Sequence, residues 1–272
     1  DSLVSDGFGA LEKDFVWIND NEAYLQCFLD KKSYAMVIKQ GPGIPFNELK
    51  RNSVNFSILM NGKEVQKISL NKDTNNKDIQ ILIPEVYINQ GKNELSIKTE
   101  LWSPSEYNGI DTRTLGFSIK NITFNEPLNN MVYDFGEADN SFQFSGFSGN
   151  EKSFRWTNSR ESKLFPLLDP KYSYKVEVHL GPKLPFDKIS KDTVSCMISI
   201  NNKENIVKLI ELNEINYSNI IDFEINKSDL NENGINELLI YTDLWSPNEY
   251  GSSDKRELGI SIDKIVFTKL NQ

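Results

Sequence analysis

The chain has 272 residues, a formal net charge of -9 at pH 7 and a single histidine. Its Lys and Arg are scattered among Asn, Asp and Glu, without the clustered basic stripe that phosphate-backbone recognition rests on, which excludes nucleic acid as a partner. No window approaches the ~20 apolar residues of a membrane-spanning helix, so no direct membrane insertion is expected.

In chain order, Asp1-Ser2-Leu3-Val4-Ser5-Asp6 shows neither the basic start nor the apolar core of a secretory signal, and the chain reads as a mature form or a piece of something longer. Gly7-Phe8, Glu12-Lys13, Phe15 and Trp17 follow, the last two alternating onto one face. Asn19-Asp20-Asn21-Glu22 is oxygen-rich, the chemistry Ca²⁺ requires, and apart from it no cofactor is suggested. Val54, Phe56, Ile58 and Met60 alternate with Asn55, Ser57 and Leu59, then meet Asn61-Gly62, a hairpin signal because both residues tolerate positive φ. Glu64 to Leu70 is the return strand. Ile79, Ile81 and Ile83 alternate again, as do Leu95, Ile97, Thr99 and Leu101. Leu101-Trp102-Ser103-Pro104-Ser105-Glu106-Tyr107 comes next, then Asp111-x-Arg113-x-Leu115-Gly116, and an apolar run from Ile119 to Phe124.

The same order then recurs. Gly146-Phe147, Glu151-Lys152, Phe154 and Trp156 match the opening, and Gly181-Pro182 with Pro185-Phe186 match Gly41-Pro42 with Pro45-Phe46. Leu244-Trp245-Ser246-Pro247-Asn248-Glu249-Tyr250 repeats the tryptophan block, Asp254-x-Arg256-x-Leu258-Gly259 follows at the kept spacing, and Ile262 to Phe267 closes the copy. One module is written twice, which decides architecture before any single residue does. Each copy has the length of an independently folding domain. Two tandem domains are expected, repeat 1 over 1–126 and repeat 2 over 127–272. Cys27 and Cys196 fall at positions that do not correspond, so a repeated disulfide is excluded and both read as buried free thiols. Period-2 alternation with Gly, Pro and Asn punctuation, and no long helical spacing, means an all-β antiparallel sandwich or barrel. The even mix of inward and outward residues favours two packed sheets.

Chemistry is sparsely signalled. The single histidine, His179, lies in a strand and has no counterpart in the first copy, and no nucleophile, phosphate-loop or zinc motif occurs. A two-carboxylate glycosidase would draw on Glu106 with Asp111 and Glu249 with Asp254, but it needs one acid held protonated beside its partner. The expectation is that the chain is not an enzyme. The repeated block has two readings. In one, Trp102, Tyr107, Trp245 and Tyr250 offer flat faces to sugar rings while Glu106 and Glu249 bond hydroxyls. In the other, each Trp plugs the core and the Pro sets a turn. Asp111 with Arg113, and Asp254 with Arg256, then share a face of an extended segment, and the Arg fork latches the loop back.

Asp134-Phe135-Gly136, Gly146-Phe147-Ser148, Glu151, Arg155-Trp156-Thr157 and the block from Trp245 to Gly259 carry a resemblance across nearly the whole chain. The pattern resembles the jelly-roll β-sandwich accessory domains of bacterial cell-surface glycosyltransferases and polysaccharide-assembly proteins, which are similar in outline to carbohydrate-binding modules. The first copy departs from it at Val16, where the second has Arg155, and lacks the lead-in strand. The resemblance implies two tandem antiparallel β-sandwich (jelly-roll) domains and an extracellular or cell-surface setting within a larger protein. It further implies a glycan or polysaccharide partner and a covalently linked glycosyltransferase domain. The expected function is therefore a non-catalytic carbohydrate-binding tandem module; the alternative is a structural or docking scaffold that positions such an enzyme without binding sugar.

Overall fold

The computed structural model describes residues 5–72, 74–107, 110–136, 142–189 and 191–270. Asp1 to Val4, on which part of the reading of the N-terminus rests, lie outside them. Two compact units divide the chain, Asp1–Pro127 and Leu128–Gln272. Among the described residues no helix is long and apolar enough to cross a membrane.

The first unit contains β1 (Ser5–Asp6), β2 (Val16–Trp17), β3 (Glu22–Leu29), β4 (Tyr34–Gln40), β5 (Ser53–Met60), β6 (Lys63–Asn71), β7 (Ile79–Ile83), β8 (Gly91–Thr99) and β9 (Ser118–Asn125). They form a five-stranded sheet in the order β1-β3-β8-β5-β6 and a four-stranded sheet in the order β2-β9-β4-β7. Each pairing is antiparallel, and the chain crosses from one sheet to the other at nearly every step, as in a jelly roll. Alternation supplies the core: Met36, Ile38 and Ile81 from one sheet meet Val54, Ile58 and Ile97 from the other, all buried. The β5–β6 hairpin turns at Asn61 and Gly62, with φ of 53° and 76°, the doubly left-handed turn that Asn-Gly favours.

The second unit contains β10 (Asn130–Asp134), β11 (Phe144–Ser145), β12 (Arg155–Trp156), β13 (Glu161–Leu164), β14 (Tyr174–Leu180), β15 (Thr193–Ile200), β16 (Ile206–Asn213), β17 (Ile220–Ile225), β18 (Leu238–Thr242) and β19 (Ser261–Lys269). Its sheets run β11-β13-β18-β15-β16 and β10-β19-β14-β17, with β12 also paired to β19. Strand β10 is the lead-in strand absent from the first copy, and it zips onto β19 from Asn130–Thr268 to Asp134–Lys264. Arg155 fixes the end of that strand: its Nε donates to the Phe135 carbonyl at 3.2 Å and its Nη1 to the Ser148 carbonyl at 3.0 Å. The connection 201–205 is longer than the Asn-Gly turn of the first unit, because Asn201 at φ 64° has no glycine after it to continue the left-handed turn.

Cys27 and Cys196 are free and buried. Burial pushes their thiols up, to about 11 and about 12, so neither is a nucleophile near neutrality.

Candidate functional site

Trp102 and Leu115 form an isolated antiparallel pair beyond the end of β8, each amide bonding the other's carbonyl at 2.8 Å. Trp245 and Leu258 do the same, again at 2.8 Å. The outer residues of the repeated motif thus close a loop on itself, and everything between them serves that loop.

Ser-Pro-x-Glu starts a 3-10 turn, Pro104–Tyr107 in one copy and Pro247–Tyr250 in the other. The Ser103 amide donates to Glu106 Oε1 at 2.9 Å and the Ser105 amide to Ser103 Oγ at 3.3 Å. In the second copy Ser246 donates to Glu249 Oε1 at 3.2 Å and Asn248 to Ser246 Oγ at 3.4 Å. This is a reciprocal capping box with proline at the first helical position. Glu106 and Glu249, read from the sequence as partners for sugar hydroxyls, are turn caps. The Ser-x-x-Glu spacing that signals such a cap was present in the sequence. Glu106 is further held by Arg51, whose Nη2 spans both carboxylate oxygens at 3.0 and 3.2 Å while Nη1 donates to the Leu101 carbonyl at 3.0 Å. Lys191 stands in its place in the second copy and donates to the Leu244 carbonyl at 3.1 Å, a point charge where the first copy has a fork.

The indoles correct a sequence-based expectation. Trp102 and Trp245, read as sugar platforms, are each 4% exposed. Trp102 Nε1 donates to the Gly116 carbonyl at 2.6 Å and Trp245 Nε1 to the Gly259 carbonyl at 2.9 Å. Each packs edge-to-face on the tryptophan that opens its copy, Trp17 at 5.7 Å and Trp156 at 5.5 Å, and both of those are buried as well. The glycine of Leu-Gly is required by this packing. A Cβ on Gly116 would lie 2.7 Å from Thr99 Cγ2, and one on Gly259 would strike the hydroxyls of Thr157 and Thr242.

Asp-x-Arg is arranged as an Asx-turn in which the two side chains meet and the Arg fork latches the loop. The Arg113 amide donates to Asp111 Oδ1 at 3.0 Å, and its Nε and Nη2 grip Asp111 Oδ2 at 3.0 and 2.7 Å. Nη1 then reaches Glu12 at 2.6 Å. Arg256 repeats each contact, with Asp254 at 3.0, 3.0 and 2.7 Å and with Glu151 through Nη1. Glu12 and Glu151 are the latch partners that the sequence reading left out, although both belong to the repeat; joining them to Arg113 and Arg256 needs the three-dimensional return of the loop. The guanidinium fork holds the Asp111 and Asp254 carboxyls below the usual carboxylate range. Both arginines are raised in turn, by Asp111 ahead of Glu12 and by Asp254 ahead of Glu151. Such an aspartate stays ionised and is a poor general acid.

The tyrosine of the motif is half-buried against the core in the first copy and exposed in the second. Tyr107 lies over Trp102 with ring centroids 6.4 Å apart and planes 23° from parallel, and Tyr250 over Trp245 at 6.2 Å and 21°. Tyr250 keeps 36% of its surface exposed, with Lys188 Nζ 6.0 Å from the ring centroid. Partial burial raises its phenol, and the charges of Asp254 and Asp187 add to the effect. His179 lies apart from this loop on β14, its Nε2 3.7 Å from Glu177. At Asn19 to Glu22, Asp20 Oδ1 accepts the Asn21 amide at 2.7 Å and Glu22 sits 3.7 Å from Lys98 Nζ.

No family model and no curated protein matches the sequence. Solved structures similar to the whole chain include the tandem CBM51 modules of Sp3GH98, the family 98 glycoside hydrolase from Streptococcus pneumoniae, at 10% identity and TM-score 0.29, covering 93% of this chain and 83% of that one. The CBM22-1-CBM22-2 tandem domain of Paenibacillus barcinonensis Xyn10C matches at 12% identity and TM-score 0.28, covering 99% and 91%. The ANXUR2 extracellular domain from Arabidopsis thaliana matches at 9% identity and TM-score 0.28, covering 100% and 89%. At these TM-scores none of the three likenesses bears on what the chain binds.

Proposed function

We propose that the chain is a non-catalytic carbohydrate-binding tandem module, extracellular or at the cell surface, which presents glycan to an enzyme on the same polypeptide. The observation that carries this reading is the repeated stack of a tyrosine, half-buried in the first copy and exposed in the second, on a buried tryptophan. A ring held in one orientation by the core beneath it binds a sugar face with little further loss of conformational entropy. Two such rings on one chain gain effective concentration against a polymer. The capped turn and the Arg latch are the supports that keep each ring in place. A glycan array probed with the chain and with the doubly substituted Tyr107→Ala, Tyr250→Ala chain tests it. Binding that disappears in the double variant supports the reading; an array empty for both overturns it.

A second reading has its own observation. All four tryptophans are buried and both Arg forks are paired internally, which suits a scaffold that positions a linked polysaccharide glycosyltransferase without touching sugar. An empty array, together with altered activity of such an enzyme when the module is deleted, favours this one.

A further inference from the structure

The two copies differ at one edge of the sheet that holds β9 in the first unit and β19 in the second. In the second unit the lead-in strand β10 lies along β19, and one residue beyond each of its ends continues the ladder. Lys269 donates its amide to the Asn129 carbonyl at 2.9 Å, and Phe135 its amide to the Asp263 carbonyl at 2.7 Å. Those two bonds fix the phase of the pairing, since bonded and non-bonded pairs alternate along an antiparallel ladder. Asp263, Ile265, Phe267 and Lys269 therefore turn their main-chain groups towards β10. The side chains of Ile265 and Phe267 point into the core, where both are fully buried.

Strand β9 is the counterpart of β19. Met36 and Ile38 of β4 face its Phe124 and Ile122, as Val176 and Val178 of β14 face Phe267 and Ile265. On the other side of β9, among the described residues, only β2 pairs, and it takes Ser118 and Ile119 alone. The stretch from Lys120 to Asn125 is left open, and each of its six residues is more exposed than its counterpart between Asp263 and Thr268. Ile122 and Phe124 are half-buried where Ile265 and Phe267 are sealed. Charge and proline are the usual protections of a free edge, and residues 121–125 carry neither. Lys120, at the near end, is already paired with Asp14 at 3.0 Å. No described stretch of this chain fills the place. Strand β10 is engaged on β19, and the four residues ahead of Ser5 are too few to repeat the second unit's path, in which nine residues, 135–143, separate β10 from β11.

We propose that this edge is a strand-docking site, at which an extended segment of a separate polypeptide adds antiparallel to β9 as β10 adds to β19. The filled copy specifies the guest. Tyr133 and Met131 stand opposite Ile265 and Phe267, so the guest presents an aromatic residue opposite Ile122 and, two residues before it, an aliphatic one opposite Phe124. Tyr133 packs edge-to-face on Phe267 with ring centroids 5.6 Å apart, and Phe124, itself 6.0 Å from the Tyr34 ring, offers the same partner. The residues between them lie beside Asn121, Thr123 and Asn125 and are polar. Main-chain bonds supply the affinity of such an addition, and the alternate side chains supply its selectivity. Arg155, which bonds the Phe135 carbonyl at the end of β10, has Val16 as its counterpart. The guest therefore lacks that anchor and is held by the ladder and its two inward side chains. The proposal is independent of any sugar binding at Tyr107 and Tyr250.

A synthetic peptide with the sequence of residues 129–136 is the probe, and hydrogen exchange of the intact chain reads where it binds. Without peptide, the Ile122 and Phe124 amides should exchange fast, and those of Ile265 and Phe267 slowly. Added peptide should slow the first pair saturably and leave the second unchanged. Tyr133→Ser in the peptide should weaken binding by about tenfold or more, through the lost aromatic burial. Methylation of the peptide's tyrosine amide, which faces β9, should abolish binding, whereas methylation of its valine amide, which faces away, should not. A chain whose Ile122 and Phe124 amides are protected at high dilution without peptide overturns the proposal, because the chain then fills the edge itself. Protection that grows with chain concentration alone also overturns it and assigns the edge to a second copy. So does a peptide that leaves residues 120–125 unprotected, or one that binds equally well with its tyrosine amide methylated.

Discussion

Trp102 donates its indole N–H to the main-chain carbonyl of Gly116 at 2.6 Å, and the residue that accepts is the one whose missing Cβ lets the Trp102 loop lie against Thr99. Trp245 and Gly259 repeat the relationship at 2.9 Å. The conserved spacing between tryptophan and glycine within each copy is therefore a tertiary contact written into sequence.

Replacing that donor exposes what it contributes. Trp102→Phe and Trp245→Phe leave a buried carbonyl without its partner, and each is expected to destabilise its own unit by roughly 1–3 kcal/mol. Native-state hydrogen exchange resolved by unit checks this. The substituted unit should lose protection while the other keeps its own.

Gly259→Ala places a methyl group against the Thr157 and Thr242 hydroxyls, whereas Gly149 has nothing within 4 Å of its Cβ position. Overpacking at Gly259 is expected to cost about 1–3 kcal/mol in urea unfolding. Gly149→Ala should stay within about 0.5 kcal/mol of the unsubstituted chain.

The latch carries a pH dependence whose sign follows from the aspartates. Arg113 and Arg256 depress the Asp111 and Asp254 carboxyls in the folded chain. Their contribution is thus fully present above the unfolded value of about 3.9 and is lost as pH falls through the depressed folded values. The 3-10 turns at Pro104–Tyr107 and Pro247–Tyr250 should exchange faster in strong acid, after correction for intrinsic exchange, than near neutrality. Arg113→Gln and Arg256→Gln should exchange fast at both pH values, each in its own copy.

Ser199 is a different case. Its Oγ is buried without a hydrogen-bond partner among the described residues, and the first copy has Leu59 at the equivalent place. Ser199→Ala is expected to stabilise the chain by roughly 1 kcal/mol, because the buried hydroxyl gains nothing for its desolvation. A lower urea midpoint for this variant would contradict that.

Much of the fold was legible because the signals are local. Alternation at Val54 to Met60 and the Asn61-Gly62 turn specify a hairpin from neighbouring residues alone, and β5 and β6 are where that pattern puts them. Burial at the end of a strand is not local. An aromatic residue that leaves a sheet can turn into the core or out to solvent with the same neighbours, and Trp102 and Trp245 turn in. The latch was half legible: Arg113 and Asp111 lie two residues apart, but Glu12 reaches them only after the whole domain has closed. Glu106 and Glu249 were legible in full as caps, since Ser, three residues before Glu, and Pro at the first position carry that meaning without any tertiary information.

The account rests on the Tyr107 and Tyr250 rings, and calorimetric titration of the chain with a soluble polysaccharide that it retains on an array tests them most directly. Two binding equivalents per chain are expected, falling to one in either Tyr107→Ala or Tyr250→Ala and to none in the double variant, with the fold intact by circular dichroism. Heat and stoichiometry unchanged in the double variant would contradict the account, because the glycan would then be held by another surface.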